Sequence, residues 1–247
     1  MSDWLIPDWP APARIKACVT TRNGGTSLPP FDSFNLGDHV DDDPKAVAAN
    51  RLHLTSTLQL QAAWLKQVHG VAVVEADPVQ VAQADASWSA TPGIACTIMT
   101  ADCLPALFCN RAGTRIAAAH AGWRGLAAGV LEATADSLSV APAEVLVWLG
   151  PAIGQQSFEV GEEVREAFIS THPQTDAAFI PSKNPRRFMA DIYALARLRL
   201  AAHGITAVYG GGFDTFTDTR FYSYRQSSRT GRFASLIWIE SVSAQDL

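Results

Sequence analysis

No apolar run in the 247 residues approaches the ~20 needed to span a bilayer. The first residues, Met-Ser-Asp-Trp-Leu-Ile-Pro, offer neither the basic nor the apolar region of a secretory signal. Four cysteines (18, 96, 103 and 109) form no CxxC pair, which argues against a zinc finger. In the cytoplasmic setting these features imply, they are expected to be reduced thiols. No GxGxxG follows the first apolar strand, so the doubly wound nucleotide fold lacks its fingerprint. Excess positive charge is also missing: a net charge of −5 lacks the basic signature of a nucleic-acid-binding surface. Internal repeats, low-complexity tracts and long linkers are absent, so residues 1–247 are expected to form one domain. A chain of this size buries roughly 70–75% of its unfolded surface and needs no disulfide staple.

What the chain does have is apolar segments of both periods. Strands are expected at Ala17–Thr21, Ala63–Gln67, Val71–Ala76, Ile94–Met99, Ala106–Cys109, Ile116–His120, Val145–Leu149 and Phe233–Ile239. Asp43 and Pro44 read as the N-cap and first position of a helix reaching about Thr57. Ala127, Val130, Leu131, Thr134 and Leu138 share one helical face, which predicts a helix over 125–138. Two more helices are expected over 161–170 and 191–203, the latter closed by Gly204. Links near 67–71, 99–106 and 110–115 are too short for helical crossovers and favour antiparallel pairing. The expected fold is α+β, with mixed sheets and helices packed outside.

Three of the apolar strands end in a reactive side chain: His69 in Gln-Val-His-Gly, Cys103 in Thr-Ala-Asp-Cys-Leu-Pro, and His120 in Ala-His-Ala-Gly-Trp-Arg-Gly. Two histidines and a cysteine are one ligand short of a closed zinc tetrahedron, the pattern of a site with a position open to water or substrate. Cys103 has a second reading, as a nucleophile using His120 as base with Asp102 orienting the pair. Spacing alone does not separate the two. Asp85 and Glu159 are single carboxylates in apolar surroundings, each a general base or a structural acceptor. For binding anions, Arg22 follows a strand in a glycine turn that could form a backbone nest. Arg124 opens the helix after His120, where guanidinium and helix terminus would face the same anion. Arg225, beside Tyr222 and Tyr224, is a third candidate.

Taken together, Gln67–Gly70, Thr100–Pro105, Ala119–Gly125, Leu149–Gly154 and Phe158–Gly161 resemble the bacterial YfiH family. Thr21–Gly25, Asn35–Gly37, Asn50–Arg51, Ser223–Arg225 and Thr230–Arg232 extend the similarity over nearly the whole chain. That family is labelled both polyphenol oxidase (laccase-domain) and purine nucleoside phosphorylase. The resemblance implies a mixed β-sandwich similar to the cytotoxic necrotizing factor hydrolases, with zinc on His69, Cys103 and His120. It implies phosphorolysis of adenosine, inosine and S-methyl-5′-thioadenosine, with adenosine deaminase activity. Cys103, His120 and Asp102 would be catalytic, and Arg22, Asn35, Arg51, Arg124 and Arg225 would contact substrate or phosphate. The expected partners are small molecules, nucleosides and phosphate, with neither nucleic acid nor membrane, and the expected state is a monomer or weak homodimer. Copper on the same three ligands would resemble the trigonal set of blue copper and support a laccase-like oxidase as the alternative. Six histidines with no His-x-His pair cannot build the trinuclear cluster of a multicopper laccase. A metal-free Cys–His hydrolase is the remaining rival.

Overall fold

Along the strand Leu104–Asn110, Leu107 and Cys109 face one core while Ala106 and Phe108 face another. That alternation is what a sheet buried on both sides requires. The computed structural model, which describes residues 3–241, shows how the two cores arise. A four-stranded sheet runs in the order Ile15–Val19, Phe233–Ile239, Ile94–Thr100, Gln61–Ala63. A six-stranded sheet runs Val208–Gly210, Val145–Leu149, Leu104–Asn110, Ile116–Ala121, Ala86–Ser89, Val73–Glu75. Cys96, Ile98 and Ile237 of the first meet Leu107, Ile116, Ala118 and Trp148 of the second between the sheets.

Helices cover the outer faces. The helix α1 (Pro44–Leu58) contributes Leu54 to a core with Met99, Ala234 and Leu236. On the far side, α2 (Trp123–Ala128), α3 (Val130–Ser137), α4 (Glu162–Ile169) and α5 (Ile192–Ala202) bury Leu126, Leu131, Phe168 and Leu195 against Ala106, Phe108, Ala119 and Val147. The expected mixed sandwich with external helices is therefore observed. Among the described residues no helix is long and apolar enough to cross a membrane.

The start signal read at Asp43 holds, since it caps α1 by accepting from the Lys45 amide at 2.9 Å; Asp191, at the expected start of α5, caps that helix through the Tyr193 and Ala194 amides. Two details differ. The helix expected over 125–138 is broken at Gly129, whose φ of 103° takes the left-handed conformation that ends α2 and redirects the chain into α3. The short links at 99–106 and 67–71 are not hairpins. Ile94–Thr100 and Leu104–Asn110 lie in opposite sheets, so residues 101–103 form a crossover between layers. Likewise Leu65–Lys66 pairs parallel with Ala82–Gln83, and Val73–Glu75 parallel with Ala86–Ser89. Only the 110–115 link joins an antiparallel pair as expected.

A side chain at position 129 would be held in an unfavourable backbone region, with its Cβ 3.4 Å from the Arg199 guanidinium. Gly129→Ala is expected to lower unfolding free energy by about 1–3 kcal/mol, measured by denaturant titration; an unchanged midpoint would contradict the strain argument.

Candidate metal centre and its cavity

The crossover between the sheets carries Cys103, and the adjoining ends of two other segments bring His69 and His120 to it. One ligand atom from each of the three lies within 4.8 Å of the others. Cys103 Sγ is 3.8 Å from His69 Nε2, and the two imidazoles meet edge to face at 4.7 Å between centroids. Bond lengths of ~2.3 Å to sulfur and ~2.0–2.1 Å to nitrogen place two ligands of one tetrahedral zinc about 3.3–3.6 Å apart, a spacing these three atoms reach with small side-chain shifts. The donor set and its spacing therefore fit a metal ion.

Asp85, which the sequence left between two roles, is the carboxylate that arranges this triad. It is fully buried. Its Oδ1 receives His120 Nδ1 at 2.8 Å, and the carboxylate also accepts from the amides of Val68, His69 and Gly70. With Nδ1–H donated to Asp85, His120 turns Nε2 toward the ligand cluster, the arrangement common to histidines that bind metals. The three amides hold the turn at His69, whose φ of 62° is unusual for a non-glycine residue. Asp85 thus occupies the orienting place expected of Asp102. The Asp102 carboxylate instead accepts from Thr215 Oγ1 at 2.7 Å and the Arg225 amide at 2.6 Å. Its left-handed backbone, φ 88°, bends the crossover.

Close packing explains two glycines. A Cβ at Gly122 would lie 2.6 Å from the His69 ring, and one at Gly125 would lie 2.7 Å from the Gly70 carbonyl. These absences let the start of α2 sit on the His69 turn.

In the metal-free cluster, burial pushes the Cys103 thiol up, but the His120 charge and hydrogen bonds from both histidines outweigh it and bring it down to about 6. Burial opposes the charge on His120, yet the Cys103 thiolate and Asp85 raise it to about 9. The two opposite shifts, each caused by the other partner, favour a thiolate–imidazolium pair. Cys18, Cys96 and Cys109 are buried without such partners, and burial raises each to about 12.

The triad opens into a cavity of about 470 Å³ walled by Met99, Trp123, Ile153, Phe158, Ile192 and Tyr224, with His39, Gln67, Arg225 and Arg232 also lining it. Of the expected substrate contacts, Arg225 is there. Arg22, Asn35, Arg51 and Arg124 are not among the lining residues. Arg22 pairs with Asp32 and lies over Tyr222. Arg51 pairs with Asp38 and stacks 4.1 Å over Trp64. Arg124 is exposed, its guanidinium over Trp123. Asn35 is fully buried and fastens the 35–37 turn to Arg232. Arg232, which the sequence gave no reason to single out beyond its motif, reaches the cavity from the segment preceding the strand Phe233–Ile239. Glu159 accepts from Ser182 and Asn184 and is a structural acceptor.

A mixed sandwich that holds two histidines and a cysteine at the mouth of an apolar cavity defines a class of small-molecule-binding metal proteins. Within that class, residues 16–240 match the family described as multi-copper polyphenol oxidoreductase laccase, and the chain belongs to that family, which includes the YfiH proteins. It is 72% identical to a purine nucleoside phosphorylase of Pseudomonas aeruginosa over 97% of this chain and 100% of the relative. Purine nucleoside phosphorylase YfiH of Escherichia coli is 52% identical, again over 97% and 100%. Among solved structures, a Neisseria meningitidis protein superposes with a TM-score of 0.94 at 48% identity, covering 97% of this chain and 100% of that one. YlmD of Geobacillus stearothermophilus gives 0.89 at 28% identity, covering 96% of both.

Two outcomes are expected. Metal-free protein should show one fast-alkylating thiol, Cys103, whose rate rises with pH around a midpoint near about 6 and is suppressed by metal; a midpoint at the ordinary thiol value of about 8.5 would refute the ion pair. Asp85→Asn should weaken metal affinity about 10–100-fold in competition with a chromogenic chelator.

Proposed function

We propose that the protein is a purine nucleoside phosphorylase acting on adenosine, inosine and S-methyl-5′-thioadenosine, with adenosine deaminase activity at the same site. The observation that carries this reading is the His69–Cys103–His120 cluster opening directly into an apolar cavity of nucleoside size, in a chain so similar to proteins named purine nucleoside phosphorylase. Zinc is the metal proposed, on the two imidazoles and one thiolate. When bound, it supplies Lewis acidity and can lower the pKa of water to about 7.

The chain's own residues do the rest. Trp123, Phe158 and Tyr224 supply aromatic faces for a purine, and Met99, Ile153 and Ile192 displace water from it. In phosphorolysis a phosphate oxygen forms a bond to ribose C1′ while the bond from C1′ to the purine nitrogen breaks. The purine leaves with the electron pair and takes up a proton, giving free base and ribose 1-phosphate. In deamination water adds at purine C6 and the 6-amino group leaves as ammonia, giving the 6-oxo purine without phosphate. The reactions share a nucleoside pocket and differ in what attacks. We assign catalysis to a single domain working in the cytoplasm on small molecules.

A second reading rests on the family's description and on the trigonal His₂Cys donor set. Copper in place of zinc would give a one-metal phenol oxidase. It would lack the cluster that four-electron oxygen reduction uses in multicopper laccases.

Zinc-loaded protein given adenosine and phosphate should yield adenine and ribose 1-phosphate, and given adenosine alone should yield inosine, both resolved by chromatography. His69→Ala, Cys103→Ala and His120→Ala should each lose metal and both activities while keeping the circular-dichroism spectrum. No turnover of any purine nucleoside by protein with about one zinc per chain would defeat the assignment. Full activity after exhaustive chelation would overturn the metal reading and promote the Cys103–His120 dyad in its place. Phenol oxidation confined to copper-loaded protein would establish the second reading.

A further inference from the structure

Five of the chain's arginines are already neutralised. Arg22, Arg51, Arg165, Arg199 and Arg220 each pair with a carboxylate. Arg225 and Arg232 differ: among the described residues neither has a carboxylate within ion-pair distance, and both line the cavity beside the metal ligands. They are also mounted in the same way. The Arg225 amide is held by Asp102 Oδ2 at 2.6 Å, and the Arg232 amide by Asn35 Oδ1 at 2.8 Å. Arg225 Nη1 donates to the carbonyls of Ser157 and Glu159, and Arg232 Nη1 to those of Thr230 and Gly231. Arg225 lies over the Phe158 ring and Arg232 over Tyr224. Gly37 leaves room for the Arg232 stem, since a Cβ there would lie 2.8 Å from Arg232 Cγ.

Each guanidinium is thus fixed at one nitrogen and across one face, while Nε and Nη2 have no partner among the described residues. An unpaired guanidinium edge is a planar two-donor fork, the shape that matches a phosphate. The acidic groups facing Arg232 are Cys103 and Asp102, and both Asp102 oxygens are already engaged by Thr215 and the Arg225 amide; Glu159, which faces Arg225, is engaged by Ser182 and Asn184.

We propose that Arg225 and Arg232 form a clamp for an inorganic phosphate dianion, with Asp102 and Asn35 as the positioning residues that hold them. The clamp takes the place sought at Arg22, Arg51 and Arg124. Its ligand's role as attacking co-substrate rests on the phosphorolysis reading, whereas binding itself does not.

The test is calorimetric titration of zinc-loaded protein with inorganic phosphate, without nucleoside, for wild type, Arg225→Gln and Arg232→Gln. A hydrogen bond to a charged group is worth ~1.5–3 kcal/mol, so each variant is expected to bind phosphate roughly ten- to a hundredfold more weakly at unchanged zinc content. Asn35→Ala should weaken phosphate binding in the same direction through Arg232. Phosphate affinity within twofold of wild type in both arginine variants would overturn the clamp. Adenosine 5′-monophosphate is titrated in parallel: losses confined to it, with inorganic phosphate unaffected, would also overturn the proposal, since the anion would then be part of the substrate. Should a variant fail to fold, wild-type protein decides the matter. Phosphate should shield Arg225 and Arg232 from phenylglyoxal, mapped by mass spectrometry, and shielding of other arginines alone would refute it. A protein that binds phosphate at this pair yet cleaves no nucleoside would retain the clamp and lose the phosphorolysis reading.

Discussion

The buried carboxylate of Asp85 is the point on which the site depends. A charge without solvent costs several kcal/mol unless hydrogen bonds replace its hydration. Here the replacements come from the amides of residues 68–70 and from His120 Nδ1. Satisfying that one carboxylate fixes the turn presenting His69 and the ring orientation of His120. The strand Ala86–Ser89 follows it directly and pairs with Ile116–Ala121, so sheet register and site geometry are set together. The Asp85 carbonyl receives the His120 amide at 2.7 Å, which ties backbone and side chain of the same two residues.

The same economy governs the cavity's other side. Asp102 and Asn35 are both buried polar residues whose acceptors terminate on an arginine amide. Residues far apart in sequence are thereby brought into a single wall: the crossover at 101–103, the turn at 35–37 and the segment 224–232. Apolar packing between the sheets supplies the bulk of the cohesion, and these hydrogen bonds determine which side chains face inward.

The sequence singled out the three residues that the fold brings together, His69, Cys103 and His120, because each ends an apolar strand, a local signal that survives without tertiary information. Strand positions were legible for the same reason, and Phe233–Ile239 was located to the residue. Partners were less so. The short link after Met99 looked like a hairpin because nothing local distinguishes a tight turn from a passage between layers. Gly129 was masked by helical periodicity on both sides of it. Arg22 and Arg51 looked available because their carboxylates, Asp32 and Asp38, reach them only after folding. Arg232 escaped individual notice for the converse reason, since its lack of an acidic partner is a fact about space rather than sequence. Asp85 was visible as an isolated carboxylate in an apolar stretch, but its four donors come from two other segments.

The strand Phe233–Ile239 sits between Ile15–Val19 and Ile94–Thr100, pairing with both. Residues 101–232 are therefore synthesised before the middle of that sheet exists. Until then, Ile15–Val19 has none of its cross-strand partners in this sheet, and the strand from which the Cys103 crossover departs is paired on one side only, with Gln61–Ala63. Such long-range pairing is slow to form. The cavity, which draws Tyr224, Arg225 and Arg232 from the segment just before that strand, is consequently a late product of biosynthesis.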